Sequence, residues 1–259
     1  MLWSRRSLHL FFYQPITERP TDSKGTDLTD LMVSIQSEDE FSQLRGTGIT
    51  WVDMKDPSHG ALQPTPSSVW NSVGRHPGYR LSVALGELVD APQSNLEEIP
   101  SAISFVKIGL SKVDQIADWE TRWLNWCESL SPHFKPVVVA YADHRHCGAP
   151  APQDLLTLAA KAPIGGFLID TYDKSRGSVF SHVDAAEITA WLTTARAKRL
   201  TTVLGGSLLQ ENVALALECR PDVIAVRGAV TEGARSASIN QQRVIELLQQ
   251  VHGGPHQGA

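Results

Sequence analysis

The sequence predicts an α/β protein folded as one (β/α)8 TIM barrel, and three observations predict it. Eight short apolar runs recur along the chain, at residues 32–35, 50–54, 80–85, 105–109, 136–141, 166–170, 201–205 and 223–227. Most are rich in Val or Ile, as strands buried on both faces should be. Amphipathic segments separate them, which is the alternation a parallel sheet with covering helices requires. The length also fits: 259 residues with 42% hydrophobic content can bury one large core, and barrels of this kind take roughly 250 residues. A doubly wound open sheet is the competing architecture, but no G-x-G-x-x-G follows the first run, so its usual nucleotide signature is missing.

The first thirty residues stand apart. Arg5 and Arg6 precede an apolar run at residues 8–13 that His9 interrupts; it falls short of a secretory h-region and no small-residue cleavage site follows it. Residues 15–30 are polar and rich in Thr, Asp, Gly and Pro. Residues 1–30 are therefore expected to be a disordered or loosely packed extension, with the barrel spanning residues 31–259. The second run, ITWVDMKDP, ends in Asp-Pro, where proline supplies no ladder donor and disfavours helix in the residue before it. The helix after the third run is poorly marked, since residues 90–103 hold two prolines and few periodic positions. After the fourth run, Ile116, Trp119, Trp123, Cys127 and Leu130 recur at three- and four-residue steps. Ile188, Trp191, Leu192 and Ala195 do so after the sixth, and Val244, Ile245, Leu248 and Val251 close the chain in the same way. Such spacing marks the buried stripe of a helix, so the tryptophans are packing anchors.

Composition excludes several classes. A net charge of −5 gives no field for steering onto nucleic acid or anionic lipid. No apolar stretch approaches the roughly 20 residues that span a bilayer. Cys127, Cys147 and Cys219 are widely spaced and odd in number; they form neither a disulfide framework nor a zinc pattern, and a reducing cytoplasm is their simplest home. A homo-oligomer is compatible with all of this.

In a barrel, chemistry collects at the carboxyl ends of the strands. Side chains alternate along a strand, so Asp53 and Lys55 share a face at the end of the second run. A carboxylate and an amine there suit carbonyl chemistry, the amine forming an imine and the acid moving protons. A salt bridge at a strand end would account for the pair taken alone. Lys107 is an ionisable residue inside the apolar run FVKIGL, and a lysine buried without a carboxylate loses much of its charged-state stability. The fifth run ends near Tyr141 and Asp143, the sixth at Asp170 with Lys174 and Arg176 beyond it. Gly205, Gly206 and Ser207 close the seventh, and Arg227 and Gly228 the eighth. Glycine-rich loops at those two places are the usual phosphate cradle of the fold, though tight turns would also use them. Three lysines and three carboxylates at one mouth imply depressed lysine pKa values; bringing a lysine from about 10.4 to about 7–8 takes roughly 4 kcal/mol, which neighbouring cations and partial burial can supply. The composition of the mouth points to a small phosphorylated carbonyl substrate, handled with no metal and no redox cofactor.

The motifs VDMKDPSHGALQ (52–63), FVKIGL (105–110), AYAD (140–143), LIDTYDKSRG (168–177), LGGSL (204–208) and VIAVRGA (223–229) together resemble the (5-formylfuran-3-yl)methyl phosphate synthase family of methanofuran biosynthesis, also called 4-(hydroxymethyl)-2-furancarboxaldehyde phosphate synthase. The likeness runs from about Met32 to the last helix. It implies a lyase that condenses two glyceraldehyde 3-phosphate molecules into a phosphorylated furan aldehyde, losing phosphate and water without net redox change or cofactor. It also implies Lys55 as the Schiff-base lysine, Lys107 as the proton-transferring lysine, Asp170 and Lys174 as the supporting acid and lysine, and Asp53 as the acid beside the imine.

Two other readings stay open at this point. The mouth alone would equally serve another lysine-dependent aldolase or lyase of triose phosphates. A non-catalytic sugar-phosphate-binding barrel is the third reading, against which the complete set of lysines and aspartates argues. His144, Arg145, His146 and Cys147 make one segment richer in ligand types than the family leads one to expect; it lacks a fourth ligand for a zinc site, so a solvated loop is expected there.

Overall fold

A computed structural model describes residues 28–56, 58, 60–90 and 96–253. Residues 1–27 of the extension expected at 1–30, Pro57 of the second motif and His59 lie outside the described residues. Eight parallel strands close into a barrel in chain order: β1 (Asp30–Ile35), β2 (Trp51–Met54), β3 (Arg80–Glu87), β4 (Ile103–Gly109), β5 (Lys135–Tyr141), β6 (Gly166–Asp170), β7 (Thr201–Leu204) and β8 (Val223–Val226). All eight expected strands are present. The helices are α1 (Glu38–Leu44), α2 (Ser67–Val73), α3 (Trp119–Ser129), α4 (His144–Cys147), α5 (Pro152–Leu158), α6 (Ala185–Ala197), α7 (Val213–Glu218) and α8 (Gln241–Gly253). Between β3 and β4 the described residues hold only two short 3₁₀ turns, Leu88–Asp90 and Leu96–Glu98, where the sequence marked its weakest helix.

Local chemistry sets several of these boundaries. Asp184 caps α6 by accepting from the Glu187 amide at 2.8 Å, and Ser37 caps α1 by accepting from the Glu40 amide at 3.3 Å; each satisfies an amide the helix cannot. Pro152 opens α5, where its missing N–H costs nothing. Ile188, Trp191, Leu192 and Ala195 are the buried face of α6. In α3, Trp123 and Cys127 are buried as expected and Trp126 joins them, while Leu247 rather than Ile245 completes the buried stripe of α8. At Gly109, the last residue of β4, a Cβ would meet the Glu87 carboxylate at 2.1 Å.

The core has two layers. The larger lies between sheet and helices, and the smaller fills the barrel interior with Met32, Trp51, Phe105, Val137, Leu168 and Val203. Period-two alternation then dictates what lies above that floor. Two residues past Met32, Trp51, Phe105 and Leu168 stand Ser34, Asp53, Lys107 and Asp170, all buried. The apolar floor thus carries a polar layer at the strand ends.

The first strand begins earlier than the run at residues 32–35 suggests. Leu31 is fully buried, the Trp51 indole N–H donates to Asp30 at 3.2 Å, and the Thr29 hydroxyl donates to the Pro221 carbonyl at 2.8 Å. A chain that starts at Met32 loses all three. Burial of one Leu and two hydrogen bonds should make it about 3 kcal/mol less stable than a chain that starts with Leu28 after an initiating methionine. Denaturant unfolding of the two versions checks this, and equal midpoints would contradict the role given to Asp30 and Leu31.

Candidate active site

The polar layer is an ordered row of alternating charges. The Lys107 ammonium donates to Asp53 Oδ1, and to the Ser82 hydroxyl at 2.7 Å. Asp53 Oδ2 lies 3.8 Å from Lys55 Nζ and accepts from the Ser34 hydroxyl at 3.3 Å. Lys55 Nζ donates to Asp170 Oδ2 at 3.3 Å, and Asp170 Oδ1 accepts from Lys174 Nζ. The row therefore runs Lys107, Asp53, Lys55, Asp170, Lys174, with each carboxylate held between two ammonium groups. It continues through Thr171, whose hydroxyl accepts from Lys174 at 3.2 Å and lies 3.4 Å from the Ser207 hydroxyl.

The five charged residues of the row and Ser34 line a cavity of about 520 Å³ at the carboxyl ends of the strands, together with Gly205, Gly206, Ser207, Gly228 and Arg235. That volume suits a small metabolite. The Gly205 amide is committed to the Ile169 carbonyl at 2.8 Å, so it cannot donate to an anion. The amides of Gly206 and Ser207 meet no acceptor among the described residues. Gly206 has φ +95° and Ser207 φ 51°, a left-handed pair whose second member is strained for a non-glycine residue. A side chain at 206 would also strike Val179 at 2.9 Å.

Burial and partners set the protonation balance. Burial by itself would raise Asp53, but the Lys107 and Lys55 charges hold it below its ordinary value. Burial likewise opposes Asp170, and Lys174 and Lys55 overcome it, keeping this carboxylate ionised. Lys107 is depressed by burial, which Asp53 only partly offsets. Lys174 is brought down to about 8, by burial first, against the pull of Asp170 and with the help of Lys55.

Of the strand-end residues, Arg227 and Asp143 are taken up by the protein's own groups. Arg227 is buried and its five N–H groups are spent: Nε on the Arg235 carbonyl at 2.7 Å, Nη1 on Glu40 Oε2 at 2.8 Å and the Ser34 carbonyl at 3.0 Å, Nη2 on Glu40 Oε1 at 2.8 Å and the Ala237 carbonyl at 3.3 Å. It borders the cavity without a donor to offer it. Asp143 accepts from the amides of Tyr172 and Asp173 at 2.7 and 2.9 Å, so it shapes the loop after β6. Arg176 lines a separate cavity of about 510 Å³ with His146 and Asp143; Lys174 and Ser175 line both. The segment expected to be a solvated loop is the helical turn α4, in which Cys147 is buried and its thiol pushed up to about 12 by burial. Among the described residues no cluster of three or more His, Cys, Asp or Glu could hold a metal ion, and no helix is long and apolar enough to cross a membrane.

Sequence reasoning missed four members of the site. Ser34 and Ser82 could have been found from the strand alternation that gave Asp53. Thr171 follows Asp170 directly. Arg235 lies in an aperiodic loop, and no sequence signal pointed to it.

A family model described as 4-HFC-P synthase matches residues 31–248. A (5-formylfuran-3-yl)methyl phosphate synthase of Archaeoglobus fulgidus is 26% identical over 233 residues, covering 86% of this chain and 99% of the relative. The protein of the same name from Methanosarcina mazei is 29% identical over 231 residues, covering 84% and 97%. Among solved structures, phosphoribosyl anthranilate isomerase of Thermus thermophilus is similar with a TM-score of 0.57 at 13% identity, covering 85% of this chain and 96% of that one, a likeness of fold alone. With the family model matching residues 31–248, well over half of its length, the chain belongs to the 4-HFC-P synthase family.

Proposed function

We propose that this protein is a (5-formylfuran-3-yl)methyl phosphate synthase that condenses two glyceraldehyde 3-phosphate molecules through an imine on Lys55. The observation that carries the reading is the charged row, with Lys55 at its centre and the phosphate-suited turn of Gly206 and Ser207 on the same cavity. Three ammonium groups face two carboxylates, so one amine can lose its proton and leave both carboxylates paired. An amine freed in this way attacks the aldehyde carbon, and the carbonyl oxygen departs as water once protonated. Lys107, anchored by Asp53 and Ser82, is placed to pass a proton to or from the Lys55 side. Asp170 holds Lys55 toward the cavity and links it to Lys174.

Forming the furan from two trioses releases one phosphate and two waters, with no electron left over. The reaction therefore needs proton transfers and two places for phosphate. The Gly206 and Ser207 amides suit one. The adjoining cavity, with Arg176 and His146 3.3 Å apart, suits the other, and Lys174 lies between them. The product is a phosphorylated furan aldehyde of the kind used in methanofuran-type carriers.

Chemical trapping separates the roles of the two central lysines. Borohydride added with substrate should trap an adduct on Lys55; Lys55→Arg, still charged but unable to form an imine at neutral pH, should bind substrate without turnover. Lys107→Ala should still be trapped at Lys55 and should lose about 10²–10⁴-fold in furan formation. Peptide mapping that finds the adduct wholly on Lys107 or Lys174 would reverse these roles.

The dependence on pH reports on the third lysine. The Lys174 ammonium, with its pKa brought to about 8, attracts phosphate and steadies Asp170 only while protonated. kcat/KM should fall as pH rises through about 8, and Lys174→Arg, which stays charged, should move that alkaline limb upward. An identical limb in wild type and Lys174→Arg would assign it to another group.

A further inference from the structure

The chain between β8 and α8 makes an arm over residues 231–239. An antiparallel bridge of Thr231 with Ile239 closes its base, and the Glu232 amide donates to the Ser238 carbonyl at 3.2 Å. Near its tip the Arg235 side chain lines the central cavity, as do Gly206, Ser207 and Gly228. Every other cation lining that cavity has a carboxylate within ion-pair distance: Lys107 has Asp53, Lys55 and Lys174 have Asp170, and Arg227 has Glu40. Among the described residues Arg235 has no carboxylate within ion-pair distance, Asp170 acting on it only from farther off, and its buried Nε meets no acceptor. An arginine N–H hidden from solvent without a partner is unfavourable. A doubly charged anion in the cavity would satisfy it through the planar fork that suits phosphate oxygens.

Arg227 explains how the arm is held. Its guanidinium is clamped on Glu40 of α1 in two-pronged fashion, and from that anchor it grips the Arg235 and Ala237 carbonyls. The backbone of Arg235 is thus tied to the barrel by a buried residue at the end of β8.

We propose that Arg235 is the side chain that holds a substrate phosphate in the central cavity, together with the Gly206 and Ser207 amides, and that Arg227 is a positioning residue acting through it. This deepens the proposed function and rests on its claim that the cavity takes a phosphate ester. The two arginines have separate roles, Arg227 being spent on structure so that Arg235 can meet the ligand.

Titration calorimetry with inorganic phosphate, at fixed ionic strength, tests this without needing turnover. Arg235→Met should weaken phosphate binding at least tenfold relative to the parent protein, and Arg235→Lys should recover only part of the loss. Arg227→Lys, which retains a charge beside Glu40 but cannot grip both carbonyls, should also weaken phosphate. It should lower the preference for glyceraldehyde 3-phosphate over glyceraldehyde in imine trapping, a readout that lost stability alone would not move. Phosphate affinity within twofold of the parent in Arg235→Met would overturn the assignment, and unaltered affinity and preference in Arg227→Lys would overturn the positioning role. A parent protein that binds phosphate through Arg235 yet makes no furan would refute the proposed reaction and leave this inference standing.

Discussion

The row of alternating charges across the barrel floor is the constraint on which the rest depends. Lys107, Asp53, Lys55 and Asp170 are all buried, and none of them could stay charged there alone. Each carboxylate is shared by two ammonium groups, so removing either one strands the outer lysine it holds and leaves Lys55 with a single partner. Loss of a single partner from a buried pair typically costs about 3–5 kcal/mol. The apolar floor of Met32, Trp51, Phe105 and Leu168 shields the row from beneath, and low local polarity strengthens every pairing above it. The same geometry that makes the row stable leaves one proton more than the carboxylates require, which is the condition for an amine to act as a nucleophile.

The fold supplies this arrangement through pleat and closure. Ser34, Asp53 and Ser82 lie opposite one another in register across β1, β2 and β3, and Lys107 of β4 lies beside Ala84. Asp170 arrives from β6, on the far side of the barrel, paired with Tyr141 of β5. Only a closed sheet brings residues 53 and 170 within reach of a single lysine. The loops after β7 and β8 then add the features the strands cannot carry: a left-handed turn with amides turned away from the ladder, and an arm carrying a cation.

Much of this was legible in the sequence. An ionisable residue within an apolar strand, at its last position or just beyond it can be read directly, and Asp53, Lys55, Lys107 and Asp170 all follow that rule. Partnership across the chain cannot be read so. Arg227 has the residue type and the strand-end position of a phosphate ligand, yet Glu40, 187 residues away, absorbs it. Asp143 likewise has the right place, but the backbone of the next loop claims both its oxygens. Arg235 was silent because an aperiodic loop gives no indication of which side chain will face inward. The start of β1 was missed for a related reason: Asp30 is polar, and its pairing with Val223 of β8 and its bond to the Trp51 indole come from distant parts of the chain.

The decisive experiment is incubation of the protein with glyceraldehyde 3-phosphate, following near-ultraviolet absorbance and released phosphate together. A furan aldehyde chromophore should grow in step with inorganic phosphate, one phosphate for each furan, and both signals should vanish in Lys55→Arg. Consumption of the triose phosphate to an aldol without the chromophore, or furan formation undiminished in Lys55→Arg, would contradict imine chemistry at the centre of the charged row.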